Sequence, residues 1–526
     1  MTPPPMSNAR IARSTGIMAG ATRLSRILGF VRDILLATLF GTTAQAQAFV
    51  VAFRLPNLLR DLVAEGAVTS AFVPVLTWYR AKRPEEFWPL SQALLIRLGL
   101  VVGVVGAAGA LAAPWIVRLI APGFAQDPEK FALTVRLTRI LFPFITLVGF
   151  WAYFMGLFNS LHHFGMPALG PAILNLAMII ACLWFVPLTM PGILAVAIAV
   201  MIGGAVQLAI QLPTASRLGF RWGWRWRHPG SREIMRLLGP RMVGSAAYQV
   251  SVLVDTALAS LGAIVGEGAV AALYYANRLV QLPLALFGTA SAQASLPSLA
   301  EQAAHGDLAG FRSTVLAVMR MVAFVTLPAA VGLVVLGGPI VERLFERGAF
   351  DHRATLMTTQ ALVCYALGLL AYALAKVFTG AFYALHDTRT PVRLAIEAVA
   401  MNVVLSVLLM WPLKIAGLAL AAAVTNTVNA VRLAQRLERD LPGPLLAPAA
   451  GPLLRMLGAS AAMGLGCWAL WRAVLAGQPS WLGLPLVILA GLLGYAAACR
   501  LFRVHELSTA LRWATTLPFL QAFASE

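Results

Sequence analysis

The feature that most constrains the fold is a succession of long, uncharged apolar runs separated by short polar segments. Many of these runs exceed the roughly 20 residues that a helix needs to cross the hydrocarbon core of a bilayer. Inside lipid the backbone must satisfy its own hydrogen bonds, so only helices and closed barrels span it, and these runs are too long for barrel strands. Hydrophobic residues form 60% of the 526-residue chain and charged residues 12%, which excludes a soluble domain. The sequence therefore predicts an all-α membrane protein.

Fourteen transmembrane helices are predicted from the apolar runs. Their approximate ranges are 14–40, 46–78, 90–113, 133–158, 167–187, 191–213, 236–262, 268–297, 315–338, 356–384, 391–411, 415–433, 451–475 and 481–502. An even number of spans places both termini on one side of the membrane. Arginine and lysine are concentrated in the loops of that same side, so the positive-inside rule predicts cytoplasmic termini. This topology also accounts for the net charge of +19, so no nucleic-acid partner is expected.

The remaining compositional signals favour packing and interface roles. Four cysteines lie inside apolar runs, at spacings that fit neither a metal site nor a disulfide: Cys182, Cys364, Cys467 and Cys499. Residues 221–228 alternate tryptophan with arginine, which indicates a segment at headgroup depth beside the membrane. Arginines interrupt the first apolar segment, so it is unlike a cleavable signal peptide and no cleavage is expected.

The two halves of the chain repeat at an offset of about 224 residues. The pattern G-x-F-x-x-L-H-x-x-x-x-P occurs at residues 156–167 and again at 380–391. The pattern P-x-x-x-R-L occurs at residues 114–119 and again at 339–344. Because separate motifs share one offset, they indicate an internal duplication.

The duplication predicts the domain organisation. Each repeat holds six spans, an even number, so the two six-helix lobes run the same way and are related by a pseudo-twofold axis along the membrane normal. The predicted divisions are residues 1–215 for the N-terminal lobe, 216–235 for a basic cytoplasmic linker, 236–440 for the C-terminal lobe, and 441–526 for two extra helices and a cytoplasmic tail. Parallel repeats of this kind build transporters with a central site and alternating access to it.

Arginines inside three predicted spans are the candidate substrate-binding residues. An arginine at the centre of a bilayer costs at least a few kcal/mol, so several of them are expected to face a cavity rather than lipid. A guanidinium binds phosphate with two parallel hydrogen bonds and stays charged, which favours an anionic, phosphate-bearing substrate. The candidates are Arg26, Arg32, Arg54, Arg60 and Arg278. Snorkelling toward the headgroups, or pairing with Asp33, Asp61 and Glu65, is the alternative for these arginines.

A second group of residues in the spans has predicted structural or gating roles. Asp33 and Glu65 are acids that can pair with the arginines. Pro56 bends its helix, either as a hinge or as a static kink. Gly29 allows close packing or bending.

Three polar residues in spans 7, 11 and 12 are candidate ligands of a coupling cation. If these spans meet, the side-chain oxygens of Asp255, Asn402 and Thr425 would suit sodium. Structural hydrogen bonding is the alternative. No cofactor is expected apart from such a coupling cation, sodium or proton.

Four motifs resemble those of one transporter family. They are SRILGFVRD at residues 25–33, AFRLPNLLRDLVAEGAVTSAFVPVL at 52–76, YYANRLVQLP at 274–283 and HDTRTPV at 386–392. Together they are similar to the motifs of the MurJ (MviN) lipid II flippases, and the resemblance covers essentially the whole chain. It implies the multidrug/oligosaccharidyl-lipid/polysaccharide exporter fold, with two six-helix lobes and two added helices.

The resemblance also implies site residues, partners and location. The family's essential cavity arginines fall on Arg26, Arg32, Arg60 and Arg278, where they would bind the diphosphate of lipid II, and Ser25 opens the first motif beside them. The added helices would hold the polyprenyl tail. Lipid II, membrane lipids and cell-wall synthesis proteins are the implied partners, and the bacterial inner membrane is the implied location. At three positions where some members of the family carry acids, this sequence has the neutral residues Gln47, Asn277 and Gln281. Proton coupling through those acids is therefore in doubt for this protein.

The predicted function is the flipping of lipid II to the outer leaflet by alternating access. A flippase for another polyprenyl-diphosphate glycan would share the same diphosphate chemistry. A cation-coupled multidrug exporter of the same fold would need acids facing cationic drugs, and the excess of arginine argues against it. A glycosyltransferase or polymerase would need acids on the periplasmic side, where they are sparse, so no enzyme is expected.

Overall fold

The structure, a computed structural model, describes residues 8–60, 68–188, 191–475 and 483–508. Every regular element within these residues is helical, and no strand occurs among them. The predicted all-α class is therefore confirmed. The predicted site residue Glu65, together with Asp61, lies outside the described residues.

The described residues of the first half form eleven α-helices. They are α1 (Asn8–Phe40), α2 (Ala44–Arg60), α3 (Val68–Lys82), α4 (Pro84–Leu111), α5 (Ala113–Ile120), α6 (Pro128–Leu141), α7 (Phe144–Ser160), α8 (Gly165–Ile180), α9 (Ile193–Ala209), α10 (Leu212–Arg217) and α11 (Pro229–Ala259). Proline at the first position begins α4, α6 and α11. Its fixed φ suits a helix start, where its missing N–H leaves no hydrogen bond unmade.

The described residues of the second half form nine further α-helices. They are α12 (Gly262–Val265), α13 (Ala269–Pro283), α14 (Ala290–Ala304), α15 (Leu308–Phe345), α16 (His352–Leu367), α17 (Leu369–Ala384), α18 (Arg389–Arg439), α19 (Leu446–Leu470) and α20 (Gly483–Leu501). Within the described residues, eight helical stretches are long and apolar enough to cross a membrane. The number becomes nine if α16 and α17, which meet at a 45° bend, form one span. The predicted count of fourteen stays a prediction.

The helices group into two compact units. The first contains residues 1–263 together with Arg347–Asp351, and the second contains Ile264–Glu346 and His352–Glu526. In the first unit α1 packs against α8, α2 against α6, and α4 against α7. In the second unit α15 packs against α16 and α19, α17 against α18, and α19 against α20. The predicted boundaries at residues 215, 235 and 440 stay predictions.

Helix α18 is a hairpin rather than a straight rod. Its backbone leaves the helical region at Lys414 (φ 52°, ψ −129°). Glu397 and Arg432 form an ion pair of 2.7 Å although they are 35 residues apart, about 50 Å along a straight helix. The two arms therefore run antiparallel, over the segments where spans 391–411 and 415–433 are predicted. Gly417 permits this tight reversal because a Cβ there would overlap the carbonyl oxygen of Leu409.

The repeated histidine motif ends a helix in both halves. His162 (φ 64°) follows α7 and His386 (φ 61°) follows α17, each in the left-handed conformation. The next residue in the second copy, Asp387, accepts hydrogen bonds from the backbone N–H groups of Arg389 (2.9 Å) and Thr390 (3.0 Å). Hydrogen bonds to its ionised form hold the pKa of the Asp387 carboxyl below its ordinary value, first the bond from the Thr390 side chain and then those from the backbone. The two histidines are turn residues, as their positions at the loop edges predict.

Candidate substrate site

Arg32 fastens α1 to α8 inside the first unit. Its side chain is only 7% exposed. Its Nε and Nη2 donate to Oδ1 of Asp33 at 3.0 and 2.7 Å, and its Nη1 donates to Oδ1 of Asn175 at 2.8 Å. The pairing with Asp33, which was the alternative to substrate binding for Arg32, is thus present, and an amide from α8 adds a further hydrogen bond. These hydrogen bonds and the ion pair compensate the buried guanidinium group for the loss of its hydration.

Asn175 also explains the first motif's glycine. Its Nδ2 donates to the carbonyl oxygen of Ser25 at 3.0 Å. A Cβ on Gly29 would lie 3.3 Å from the same Nδ2, so the glycine lets α8 approach α1 closely, as predicted. The sequence analysis did not identify Asn175. Its only sign in the sequence is that it is an amide side chain inside an otherwise apolar run.

Arg26 differs from Arg32 in its surroundings. It lies six residues earlier on α1, about 120° around the helix and about 9 Å along it. Its side chain is exposed, whereas Arg32 is buried. Of these two cations, Arg26 is therefore open to a ligand and Arg32 is committed to protein partners.

Helix α2 directs a second arginine toward α11 within the same unit. Arg54 is half-buried, and its Nε donates to Oγ1 of Thr256 at 3.1 Å. Thr256 follows Asp255, the candidate cation ligand, which is itself half-buried. Arg60 is the last residue of α2 and is half-buried, while Pro56 is buried within the helix.

Arg278 belongs to the second unit, on α13. Its guanidinium lies 5.0 Å from the ring centroid of Tyr274, and its Nη2 donates to the Tyr274 hydroxyl at 3.2 Å. On the same helix the Nε2 of Gln281 donates to Oδ1 of Asn277 at 3.0 Å. The two neutral residues that stand in place of acids therefore bond to each other.

The third neutral replacement, Gln47, contacts a buried lysine. Oε1 of Gln47 accepts from Nζ of Lys130 at 3.2 Å, and its Nε2 donates to the carbonyl oxygen of Thr42 at 3.1 Å. Lys130 is 6% exposed and lies 4.2 Å from the ring centroid of Phe124. Lys130 lies between the predicted spans 90–113 and 133–158, and the sequence analysis did not predict this contact. The charge beside Gln47 is therefore a cation within the first unit.

The candidate cation ligands are divided between the two units, with Asp255 in the first and Asn402 and Thr425 in the second. Asn402 and Thr425 are buried on opposite arms of α18. The ion pair between Glu397 and Arg432 fixes the register of the two arms. Asn402 lies five residues along its arm from Glu397, and Thr425 lies seven along its arm from Arg432. At 1.5 Å per residue, Asn402 and Thr425 therefore differ in depth by about 3 Å. Ser406, one helical turn beyond Asn402, is also buried. Within the described residues no group of three or more histidine, cysteine, aspartate or glutamate side chains could hold a metal ion.

Long apolar helices together with arginines on α1 and α2 define the class: a multi-pass α-helical membrane transporter. The sequence profile of the family described as Lipid II flippase MurJ matches residues 36–483. The chain belongs to this family of flippases, and the resemblance of its motifs is confirmed. Its apolar helices and its family make it a multi-pass inner-membrane protein.

Individual relatives are similar over most of their length. The chain is 38% identical over 438 residues to a probable lipid II flippase MurJ of Rhizobium tropici, covering 80% of each chain. It is 35% identical over 435 residues to the probable lipid II flippase MurJ of Vibrio cholerae, covering 80% of this chain and 81% of that one. It is 32% identical over 423 residues to the lipid II flippase MurJ of Burkholderia cenocepacia, covering 79% and 81%.

Solved structures share the fold. The inward closed conformation of a lipid II flippase MurJ superposes with a TM-score of 0.78 at 25% identity, over 92% of this chain and 98% of that one. An inward-facing multidrug transporter of the MATE family superposes with a TM-score of 0.67 over 80% and 98%. At 14% identity the second likeness shows the fold alone.

Proposed function

We propose that this protein flips lipid II from the inner to the outer leaflet of the cytoplasmic membrane by alternating access. The observation that carries the proposal is membership of the family across residues 36–483, with relatives that are named as lipid II flippases. The reaction moves a lipid and makes or breaks no covalent bond. Membrane lipids and cell-wall synthesis proteins are its other proposed partners.

The proposed headgroup site is cationic. The exposed Arg26 and the half-buried Arg54, Arg60 and Arg278 are available in part to an anion, with Ser25 beside them. Guanidinium groups replace the hydration of a diphosphate with two-pronged, charge-assisted hydrogen bonds. Arg32 would bind the phosphate only by giving up a present partner. The phosphate would displace the carboxylate of Asp33 or the amide of Asn175 from its guanidinium group.

The proposed architecture has fourteen spans, two six-helix lobes with pseudo-twofold symmetry, and both termini in the cytoplasm. Helices α19 and α20 are the two added spans, and they would line a groove for the polyprenyl tail. Within the second unit they attach to α15, where the hydroxyl of Tyr495 donates to the carbonyl oxygen of Phe324 at 2.8 Å.

The proposed driving force is a coupling cation or the membrane potential. Sodium would be held by oxygens of Asp255, Asn402 and Thr425, and a proton is the alternative. The potential supplies about 2.3 kcal/mol per charge per 100 mV, so either force can bias the transport cycle.

The test is depletion of the protein followed by measurement of lipid II in each leaflet. We expect lipid II to accumulate in the inner leaflet and wild-type protein to relieve the accumulation. Arg26→Ala should weaken lipid II binding roughly tenfold to a hundredfold, because it removes charge-assisted hydrogen bonds to phosphate. Arg23→Ala is the matched control, since it removes an exposed arginine one turn earlier on α1.

Three other results would redirect the assignment. An unchanged distribution of lipid II after depletion would refute the flippase proposal. Sensitivity to cationic drugs in its place would favour the multidrug exporter. Equal transport of a different polyprenyl-diphosphate glycan in proteoliposomes would show that the arginines recognise the shared diphosphate rather than the lipid II sugars and peptide.

A further inference from the structure

A groove opens between α5 and α6, away from the residues of the proposed substrate site. Its volume is about 530 Å³, and it lies within the first unit. Its lining combines an apolar floor with two arginines: Pro114, Phe131, Ala132, Val135, Arg136, Arg139 and Ile140. We call it the α5–α6 groove.

Helix α5 has the character of a helix that lies in the membrane interface. One face is attached to α6, because Ala113 and Val117 pack against Val135 and Phe131. The opposite face exposes Trp115 (71%) and Leu119. Tryptophan and leucine presented outward from an eight-residue helix suit the boundary between headgroups and acyl chains.

Among the described residues, no carboxylate forms an ion pair with the arginines of the groove. Arg136 and Arg139 are exposed, stand one turn apart on one face of α6, and form no ion pair with any described residue. Arg118, on α5, lies 5.6 Å from the ring centroids of both Trp115 and Phe131, at the edge of the groove. Guanidinium groups beside lipid are costly unless an anion or water meets them.

The length of the neighbouring apolar run places these arginines at the membrane boundary. Residues 140–160 contain no charged side chain, and at 1.5 Å per residue they span about 30 Å, the thickness of the hydrocarbon core. Arg139 therefore stands at the end of the core and Arg136 one turn farther out. This is the depth of lipid phosphates.

The fold itself does not require the charges of Arg136 and Arg139, although Arg118 has a charged counterpart in Arg343. The corresponding segment of the second repeat, residues 360–364 of α16, reads Gln-Ala-Leu-Val-Cys and is uncharged. The predicted topology also places the α5–α6 groove on the side opposite the termini, where arginine is scarce. Three arginines there are an exception to the charge bias and need a separate reason.

We propose that the α5–α6 groove binds the phosphate headgroup of an anionic phospholipid from the outer leaflet. Arg136 and Arg139 hold the phosphate, and Arg118 adds its charge at the rim. The start of the acyl chains lies over Pro114 and Ile140. The occupant is a phospholipid because the groove is shallow, apolar-floored and open, and its charge is complementary to the phosphates at its own depth. This lipid site is additional to the proposed flippase function.

The test measures phospholipid retained by the purified full-length protein, by native mass spectrometry during titration with phosphatidylglycerol or phosphatidylcholine. We expect preference for phosphatidylglycerol, and about thirtyfold weaker binding in Arg136→Gln/Arg139→Gln. Ala132 lines the same groove on the same face of α6. Ala132→Leu should therefore weaken binding by filling space without changing charge, which keeps the test informative if the double variant folds poorly.

The matched control is Arg436→Gln/Arg439→Gln, an exposed pair with the same spacing at the end of α18 but outside the groove. An equal loss of phosphatidylglycerol binding in that control would show that the arginines act only through the overall charge of the protein, and it would contradict the proposed site. Unchanged affinity in the groove variants would overturn it as well. The protein could instead retain undecaprenyl diphosphate and not phosphatidylglycerol. If that retention depends on Arg136 and Arg139, the groove binds the transported lipid. Lipid II flipping, measured separately, tests the function independently.

Discussion

At the scale of single residues, arginines of one motif occupy different environments. Arg32 is buried and bonded to Asp33 and Asn175, whereas Arg26 is exposed on the same helix. Removing one member of a buried pair leaves an uncompensated charge, which is worth about 3–5 kcal/mol. A loss of transport on mutating Arg32 therefore reports on folding as well as on substrate binding.

The first prediction separates these two effects. Arg32→Ala should lower the free energy of unfolding by about 3–5 kcal/mol, because the carboxylate of Asp33 stays buried without its partner. Arg26→Ala, which removes an exposed cation, should change it by less than about 0.5 kcal/mol. Thermal unfolding of both purified variants measures the difference. Equal stability of the two would contradict a structural role for Arg32.

The contact between Gln47 and Lys130 gives the second prediction. Gln47→Glu would turn a neutral acceptor of a lysine hydrogen bond into a charged one, and such bonds are roughly twice as strong. We expect the free energy of unfolding to rise by about 1 kcal/mol at neutral pH. Gln47→Leu, which removes the acceptor, should lower it. A lower midpoint of thermal unfolding for Gln47→Glu would mean that desolvation of the carboxylate outweighs the gain.

At the scale of elements, the reversal in α18 depends on a close approach that side chains obstruct. A Cβ on Gly417 would overlap the backbone of Leu409 and Met410, which cannot swing aside as a side chain can. By contrast, a Cβ on Gly466 of α19 would meet no atom within 4 Å.

The third prediction uses that contrast. Gly417→Ala should lower the free energy of unfolding by about 1–3 kcal/mol through overpacking. Gly466→Ala should raise it by up to about 1 kcal/mol, because alanine loses less backbone entropy in a helix. Both changes are measured by thermal unfolding. If both substitutions change the free energy of unfolding in the same direction, the hairpin of α18 does not depend on the absence of a side chain at Gly417.

His228 caps the N-terminus of α11 and depends on its neutral form. Its Nδ1 accepts from the backbone N–H of Gly230 at 3.2 Å, and its Nε2 lies 3.4 Å from Oε2 of Glu86. Burial lowers the pKa of the ring, which outweighs the opposite effect of the Glu86 carboxylate. A protonated Nδ1 could no longer accept the bond from Gly230.

The fourth prediction follows from the direction of that shift. Because the folded-state pKa lies below the ordinary 6.5, the contribution of His228 to stability is complete above pH 6.5 and declines as the pH falls below it. The protection of amides at the start of α11 against hydrogen exchange, measured relative to the intrinsic exchange rate at each pH, should therefore fall between about pH 6.5 and 5. His228→Asn keeps a capping acceptor without titrating, so it should remove this pH dependence. An unchanged profile in that variant would exclude His228 as its source.

At the scale of the whole molecule, corresponding loops of the two repeats make corresponding contacts. The backbone N–H of Ala349 donates to the carbonyl oxygen of Thr38 at 2.8 Å. The backbone N–H of Gly123 donates to Oγ of Ser260 at 3.0 Å. Both contacts lie within the first unit. Each repeat thus contributes a loop to the end of the first helix of the other repeat.

The fifth prediction rests on the proposed alternating access, in which these contacts must break. In a cysteine-free background, Thr38→Cys/Ala349→Cys joined by a cleavable thiol cross-linker should abolish lipid II flipping, and reductive cleavage should restore it. Cross-linking Glu397→Cys/Arg432→Cys, across the arms of α18, should leave flipping unaffected. Full transport with residues 38 and 349 joined would show that this contact stays closed throughout the cycle.

Local patterns in the sequence were sufficient for part of the candidate site. The motif at residues 25–33 identified Arg26, Gly29 and Arg32, and the repeated histidine motif identified two turns, because sterics and side-chain spacing act over a few residues. The same local reasoning predicted fourteen spans. The described helices reach the required length and apolarity in eight or nine stretches. Arginines interrupt α1, proline interrupts α2 and α3, and the hairpin α18 counts once although it covers two predicted spans.

The sequence by itself determined the helical class, the family and the presence of cations within apolar helices, because hydrophobic burial and backbone hydrogen bonding in lipid act locally. Only the tertiary structure decided which distant hydrogen-bond acceptors these cations meet. Arg32 meets Asn175 across 143 residues, Lys130 meets Gln47 across 83, and Arg54 meets Thr256 across 202. The α5–α6 groove likewise exists only because α5 folds back on α6. Such partners depend on how distant helices pack, and hydropathy along the chain contains no information about that.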